Sequence, residues 1–459
     1  MEFHSEDDIF SGRRAAKPLK VIVVGAGIGG LAVGLGMRRT GHEVIILEKV
    51  EQITEVGAGI QVAPNAARIL RRFGVLEEVM GHACVLERNS LRRYDSDHEL
   101  GSISLSHVQK EYNAPIAVIH RADLQDILLR AFRKCGGMLL TNHKVLEVNS
   151  DFEPQVLVDH EGAQMWFGGD VIIAADGMNS TIRRQIAAAC HHDDRLTPTG
   201  AIAYRILLPR ELVQNDDRIS TLFEENMGLR YMGPGGHIMA YPLRNNSVYN
   251  VVLLRSNDSS SILGPDACDE PKLSWTRRGS KDEMRQFFSR WSSVVQGLID
   301  NAAESEILET PMHDLPPLPC WVKGRVALTG DSCHLMLPFV AQGAANAIED
   351  AGTLTTAFTC TDDVELALKV YEAVRKDRGE KIQASATATG KNLHLPDGEE
   401  QRERDRAIMA ASRGDGQNPD RWNDRGWNQF MWGVDVMRET IENWQELAAT
   451  AMRDHRSHL

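Results

Sequence analysis

The chain has 459 residues, 42% apolar and 25% charged, with 51 Lys and Arg against 64 Asp and Glu, a net charge of −13. That length and apolar content support two or three domains with a substantial core and exclude a disordered or fibrous chain. The acidic balance argues against nucleic acid or an anionic membrane as partner, and no apolar run reaches the length of a membrane span.

The N-terminal MEFHSEDDIF is acidic and lacks a signal-peptide core, so residues 1–17 are expected to form a disordered leader on a cytoplasmic protein. From Leu19 to Glu48 the chain reads LKVIVVGAGIGGLAVGLGMRRTGHEVIILE. Val21–Val24 is the β-branched run of a strand buried on both faces. Gly25, Gly27 and Gly30 follow, then an Ala/Leu/Val/Gly helix and a second strand, Glu43–Leu47, ending on Glu48. Gly25 permits the tight turn, Gly27 lets a pyrophosphate approach the backbone, and Gly30 lets helix and strand pack closely. The helix N-terminus offers free N–H groups to phosphate. Glu48 can accept hydrogen bonds from the hydroxyls of an adenosine ribose, and an acid there selects FAD or NAD over NADP as the tightly held dinucleotide.

Glycines and small residues between Val56 and Asn65, Gly59 and Gln61 among them, could lie against a flat ligand. Asn65 to Gly81 reads as an amphipathic helix pair, residues 84–106 show weak strand alternation, and Arg121 stands at the start of a helix. Residues 138–167 read as strands. At 169–183 a buried strand ends in Asp176-Gly177, and a helix capped by Asn179 or Ser180 follows. Residues 191–310 lose the strand–helix alternation and carry strands at 200–208, 228–232, 237–242 and 247–254, an antiparallel sheet with one face available to a ligand. Residues 281–307 return to helix.

In residues 324–350 a buried strand ends in Gly330-Asp331, a loop carries Pro338, and Gly343 opens a helix. Asp331 can bond a sugar or ribityl hydroxyl, and the helix N-terminus can face a carbonyl that gains negative charge. A polar-faced helix over 364–393 and a charged, Trp-rich tail complete the chain, which ends in Ser457-His458-Leu459, similar to a relaxed peroxisomal address. The seven cysteines are odd in number, widely spaced and without CxxC, which implies reduced thiols and no metal site.

The GAGIGG unit with Glu48, the ADGMNSTIR segment and the TGDSCHLMLPFVAQGAANAIEDA segment, in this order, resemble the single-component FAD-dependent aromatic hydroxylases, the family of salicylate and para-hydroxybenzoate hydroxylases. The resemblance runs from about residue 19 to 398 and points to the salicylate hydroxylase branch with its fungal secondary-metabolism members. It implies an α/β fold: a Rossmann-like FAD-binding domain (18–190 and 311–398) interleaved with a mostly antiparallel β-sheet substrate domain (191–310), plus a helical segment at 399–459. By the same resemblance Gly25, Gly27 and Gly30 cradle the FAD pyrophosphate, and Glu48 holds the ribose. Gly59 and Gln61 line the flavin, Arg121 meets FAD phosphate or ribityl, and Asp176 belongs to the motif shared by FAD and NAD(P)H. Asp331 holds the ribityl chain, Gly343 and Ala344 the isoalloxazine carbonyl, and Pro338 lies where oxygen reacts.

Arg205 and Tyr241 match the Arg and Tyr that related fungal hydroxylases use to hold a phenolate. Permanent positive charge at Arg205 lowers the pKa of a nearby phenol, and Tyr241 offers an O–H to the same oxygen. The activity implied is a monooxygenase that uses NADPH or NADH and O2 to hydroxylate a phenolic substrate, salicylate-like or polyketide, through a flavin C4a-hydroperoxide. Two alternatives stay open: oxidation or epoxidation of an indole or other non-phenolic compound, and a flavin-binding sensor without turnover. The Trp-rich tail offers a surface for a homodimer.

Overall fold

The computed structural model describes residues 8–53, 58–256 and 277–457. Strand β1 (Lys20–Val24), helix α1 (Ile28–Arg39) and β2 (Glu43–Leu47) form the expected strand–helix–strand unit. Then come β3 (Gly59–Val62), α2 (Pro64–Arg72), α3 (Leu76–His82), β4 (Arg88–Arg93), β5 (Glu99–Ser104), α4 (Val108–Tyr112), β6 (Ala117–His120) and α5 (Arg121–Lys134). Strands β7 (Met138–Leu140), β8 (Lys144–Val148), β9 (Gln155–His160), β10 (Ala163–Gly168) and β11 (Val171–Ala174) lead into α6 (Thr181–Ala189). The middle of the chain holds β12 (Thr197–Pro209), α7 (Arg210–Gln214), β13 (Met227–Gly233), β14 (Gly236–Leu243), β15 (Val248–Ser256), β16 (Arg277–Arg278), α8 (Lys281–Phe287), α9 (Ser293–Asp300) and β17 (Leu308–Asp314). After β18 (Val322–Lys323) and β19 (Val326–Leu328) the chain is helical: α10 (Gly343–Cys360), α11 (Val364–Leu393), α12 (Glu399–Ser412), α13 (Arg425–Asn428), α14 (Val436–Glu442) and α15 (Trp444–Ser457).

The first sheet runs β18-β19-β11-β1-β2-β7. Its pairs are parallel except β18 with β19. Val21–Val23 and all of β11 are buried because helices cover both faces, which is why these strands read as unbroken apolar runs. Parallel register brings Gly25, Glu48, Ala175 and Thr329 to the same edge, outside the carboxyl ends of the strands, where open α/β sheets bind ligands.

The second sheet runs β16-β17-β12-β15-β14-β13-β4-β5 and is antiparallel but for β13 with β4. One face, with Tyr204, Ile206, Leu229, Tyr231, Tyr249 and Val251, packs on Met284, Phe288, Val295 and Leu298 of α8 and α9. Each such side chain stabilises by roughly 1.5–3 kcal/mol when fully buried. By strand alternation Ala203, Arg205, Leu207, Met239, Tyr241, Asn250 and Val252 point to the other face. Here Ala203 and Leu254 meet Leu337 and Phe339 in a smaller apolar cluster.

Two boundaries differ from the sequence reading. The large sheet is not confined to 191–310: β4 and β5, from within 18–190, extend it through the pairing of Met227 with Arg88, and β17 reaches Asp314. The leader is packed from Asp8 onward. Asp8 bonds Arg72, Phe10 is buried, Arg13 donates to Thr359 Oγ1 at 3.1 Å, and the Ala15 N–H donates to Thr40 O at 2.9 Å. The rest of the expected leader, residues 1–7, and the residues His458-Leu459 of the C-terminal address lie outside the described residues.

The tail docks through its backbone. Around a π-helical turn at Gln429–Gly433, Arg378 donates to the carbonyls of Phe430 and Met431, and Arg68 donates to those of Trp432 and Val434. Arg72 pairs with Asp435 at 2.6 Å. Trp422 and Trp432 are buried and meet edge-on.

Candidate cofactor and substrate site

The glycine turn after β1 is shaped for close approach. Gly25 has φ +99°, and a Cβ there would lie 2.4 Å from the Ala175 carbonyl oxygen. A Cβ on Gly30 would lie 2.0 Å from the oxygen of Gly25, whereas one on Gly27, the N-cap of α1, would meet nothing within 4 Å. The turn is therefore tight behind and open in front, with α1 amides facing the opening. Glu48 anchors it: Oε2 accepts from the Ala26 N–H at 2.8 Å and Oε1 from the Val50 N–H at 3.1 Å. Gln125 donates to Ala26 O at 2.9 Å from α5.

At the end of β11, Asp176 Oδ2 accepts from the Thr181 N–H at 3.1 Å. Its Oδ1 is buried without a partner among the described residues, and burial pushes the carboxyl above its usual range. Ser180 is the cap, its hydroxyl accepting from the Arg183 N–H at 2.9 Å, which decides between the two candidates. Gly330–Ser332 form a 3-10 turn after β19, placing Asp331 beside that edge.

Beneath this turn lies a buried ionic network. Asp350 Oδ2 accepts from Gly330 N–H at 2.9 Å, Thr329 Oγ1 at 3.1 Å and His334 Nε2 at 2.7 Å, while Arg375 Nε donates to Oδ1 at 2.8 Å. Burial opposes ionisation, yet His334 and Arg375 hold the Asp350 carboxyl well below its usual range. Glu349, also lowered against its burial, bonds Arg375, Arg378 and Asn65. Gln342 caps α10, and its Nε2 is buried without a partner among the described residues. Gly343 and Ala344 in the first turn are partly accessible, and Pro338 is exposed between the buried Leu337 and Phe339.

A two-stranded antiparallel ribbon of β3 and β6 lies against the large sheet. Gly59 N–H donates to Asn250 Oδ1 at 2.7 Å, and a Cβ on Gly59 would lie 2.5 Å from the Tyr241 ring. Arg121 opens α5 next to this ribbon, its N–H donating to Ala58 O at 3.2 Å. Gly59, Arg121, Arg205 and Tyr241 thus come together, with Gln61 two residues along β3 from Gly59. Arg205 and Tyr241 sit on strands either side of β15, on the open face. Burial, then the nearby Arg121, lower the Arg205 pKa while Tyr241 raises it. Burial pushes the Tyr241 hydroxyl well above its usual range, against the pull of Arg205. Arg205 Nε, Gln61 Nε2 and Asn250 Nδ2 are buried without partners among the described residues. Tyr204, Arg205's neighbour, points to the opposite face and donates to Glu283 at 3.4 Å.

Sequence reasoning missed Asn250, Gln342 and the Asp350 network. Asn250 carried a signal, a lone amide in an apolar strand where inward positions alternate. The residues present fit FAD: a glycine cradle closed to any Cβ behind, an acid at the end of β2, and buried polar atoms such as Asp176 Oδ1 without partners among the described residues.

The chain was compared with known proteins. Residues 18–273 and 317–386 match the model of a family described as an FAD binding domain. The FAD-dependent monooxygenase atnJ of an Arthrinium species is 36% identical over 409 residues, 88% of this chain and 91% of that protein. The 3-hydroxybenzoate 6-hydroxylase 1 of Aquipseudomonas alcaligenes is 32% identical over 365 residues, 79% of this chain and 86% of that one. Among solved structures, a salicylate hydroxylase substrate complex superposes with a TM-score of 0.73 at 25% identity, covering 94% of this chain and 98% of the other.

Proposed function

Because the chain belongs to the FAD-binding-domain family and is an FAD-dependent monooxygenase, we propose that it hydroxylates a phenolic substrate with O2, using NADH or NADPH as reductant. Gly25, Gly27, Gly30, Glu48, Arg121, Asp176, Asp331, Gly343 and Ala344 would hold FAD, with Gly59, Gln61 and Pro338 along the flavin. Bound FAD would supply the redox chemistry, accepting a hydride and activating oxygen.

The observation that carries the substrate class is the pairing of Arg205 and Tyr241 on one buried face, with Arg205 Nε unpartnered. An unpaired guanidinium in a low-dielectric site stabilises an anion strongly, so a phenol meeting it ionises more easily. The Tyr241 hydroxyl, kept protonated by burial, donates to the same oxygen and fixes the ring's orientation. Leu337, Phe339, Ala203 and Leu254 form an apolar wall that keeps water away.

The test is NADH and NADPH oxidation by the FAD-loaded protein with and without salicylate and simple polyketide phenols. Stimulation by a phenol with one hydroxylated product is the expected result. A slow background rate unchanged by every phenol, with FAD bound, would overturn the phenolic reading and direct the search to non-phenolic substrates.

A further inference from the structure

Cys190 and Cys320 are 130 residues apart in sequence, yet their sulfurs lie 3.1 Å from each other. A disulfide bond is roughly 2.05 Å long, so a movement of about 1 Å would join them. Both sulfurs are carried on fixed backbone. Cys190 ends α6, its N–H donating to Ile186 O at 3.1 Å and Ala187 O at 3.0 Å. Cys320 precedes the fully buried Trp321, whose N–H is taken by Glu372 and whose carbonyl accepts from the Leu328 N–H at 2.9 Å. Both cysteines are partly accessible, so a small oxidant can reach them. Among the described cysteines this is the one place where two sulfurs meet; Cys84, Cys333 and Cys360 contact oxygen or nitrogen groups instead.

Their position gives the pair a role. Cys190 lies where the chain leaves the dinucleotide-binding unit, and Cys320 where it returns, just before β18 and β19. The span between them contains β12 to β17, most of the large sheet. We propose that Cys190 and Cys320 form a reversible disulfide that staples the neck between the two units. In the reaction two S–H bonds break and one S–S bond forms. The two electrons and two protons reduce hydrogen peroxide to two waters, or a small-molecule disulfide to two thiols. Burial, and then the neighbouring Cys190, push the Cys320 thiol up, so Cys320 becomes a better attacking group as pH rises.

The experiment treats the FAD-loaded enzyme with hydrogen peroxide or oxidised glutathione, blocks free thiols with an alkylating agent, and maps peptides without reduction. One bridge is expected, linking the peptide with Cys190 to the peptide with Cys320. The chain's mass falls by two hydrogens, and the unfolding midpoint rises by about 3 °C or more, returning with dithiothreitol. C190S and C320S each lose the bridge and the thermal shift. Full alkylation of both cysteines after treatment, or separate oxidised adducts on each, would overturn the proposal. The peptide map of the unsubstituted enzyme decides this even if a variant fails to fold.

Discussion

The floor under the Gly330 turn and the open face of the large sheet are both buried and both polar, but they are finished differently. Around Asp350 the charges are matched: each carboxylate oxygen has its donors and two arginines face two carboxylates, although His334 Nδ1 and Gln342 Nε2 have no partner among the described residues. On the sheet face Arg205 Nε and Asn250 Nδ2, and on the adjoining β3 Gln61 Nε2, have no partners among the described residues. Matched buried charges hold shape, while a buried cation without a counter-charge costs stability until something arrives to complete it.

The strongest way to break the contrast is at the glycine turn. Gly30→Ala places a Cβ against a backbone oxygen that cannot move aside, so we expect loss of bound FAD and of about 3 kcal/mol or more of stability, read from flavin absorbance and denaturant unfolding. Next is Asp350→Asn, which leaves Arg375 undercompensated in the interior and should cost about 3 kcal/mol or more. The pH dependence has a definite sign. The Asp350 pKa is lowered by folding, so its stabilisation is present above the unfolded carboxylate range, near pH 4, and is lost as pH falls below it. The Asn variant should therefore lose less stability than the unsubstituted protein on acidification; an equal loss would show that other carboxylates govern acid unfolding.

Arg205→Met tests the opposite sign on the sheet face. Removing a buried, incompletely paired charge should raise the unfolding midpoint by about 1–3 °C while cutting coupled turnover about 10- to 100-fold. A fall of several degrees would mean that Arg205 is held by the fold and not reserved for substrate. The smallest effect belongs to Tyr241→Phe. It removes one neutral donor, so kcat/KM should fall about 3- to 10-fold with the unfolding midpoint unchanged. Since burial raises the Tyr241 hydroxyl, any alkaline limb in the rate profile should persist in this variant.

The cofactor side of the molecule was legible because its chemistry is local. Gly25 to Glu48 is one continuous stretch, and each glycine's role follows from its spacing. The strand end that carries Asp331 and the helix that Gly343 opens were legible for the same reason. Arg205 and Tyr241 could be named by resemblance, but their meeting depends on pairing through β15, which no local pattern announces. The Asp350 network was hidden because its partner Arg375 lies a helix away, and a charged helical residue reads as solvent-facing. The placement of β4 and β5 was missed because β4 joins the sheet through β13, more than a hundred residues distant, and β5 joins it only through β4. Asp8 and Phe10 looked like part of an acidic leader, and only the tertiary contacts with Arg72 and the core order them.

The way the tail is held has an evolutionary corollary. Arg68 and Arg378 grip the carbonyl groups of Phe430, Met431, Trp432 and Val434, atoms that every amino acid possesses. Phe430 rests against the apolar wall formed by Leu337 and Phe339. An exchange of its side chain would leave these carbonyl contacts in place and remove the stacking of the Arg378 guanidinium over the ring, 5.0 Å from its centroid, so the tail is held by one set of contacts that sequence drift cannot touch and one that it can.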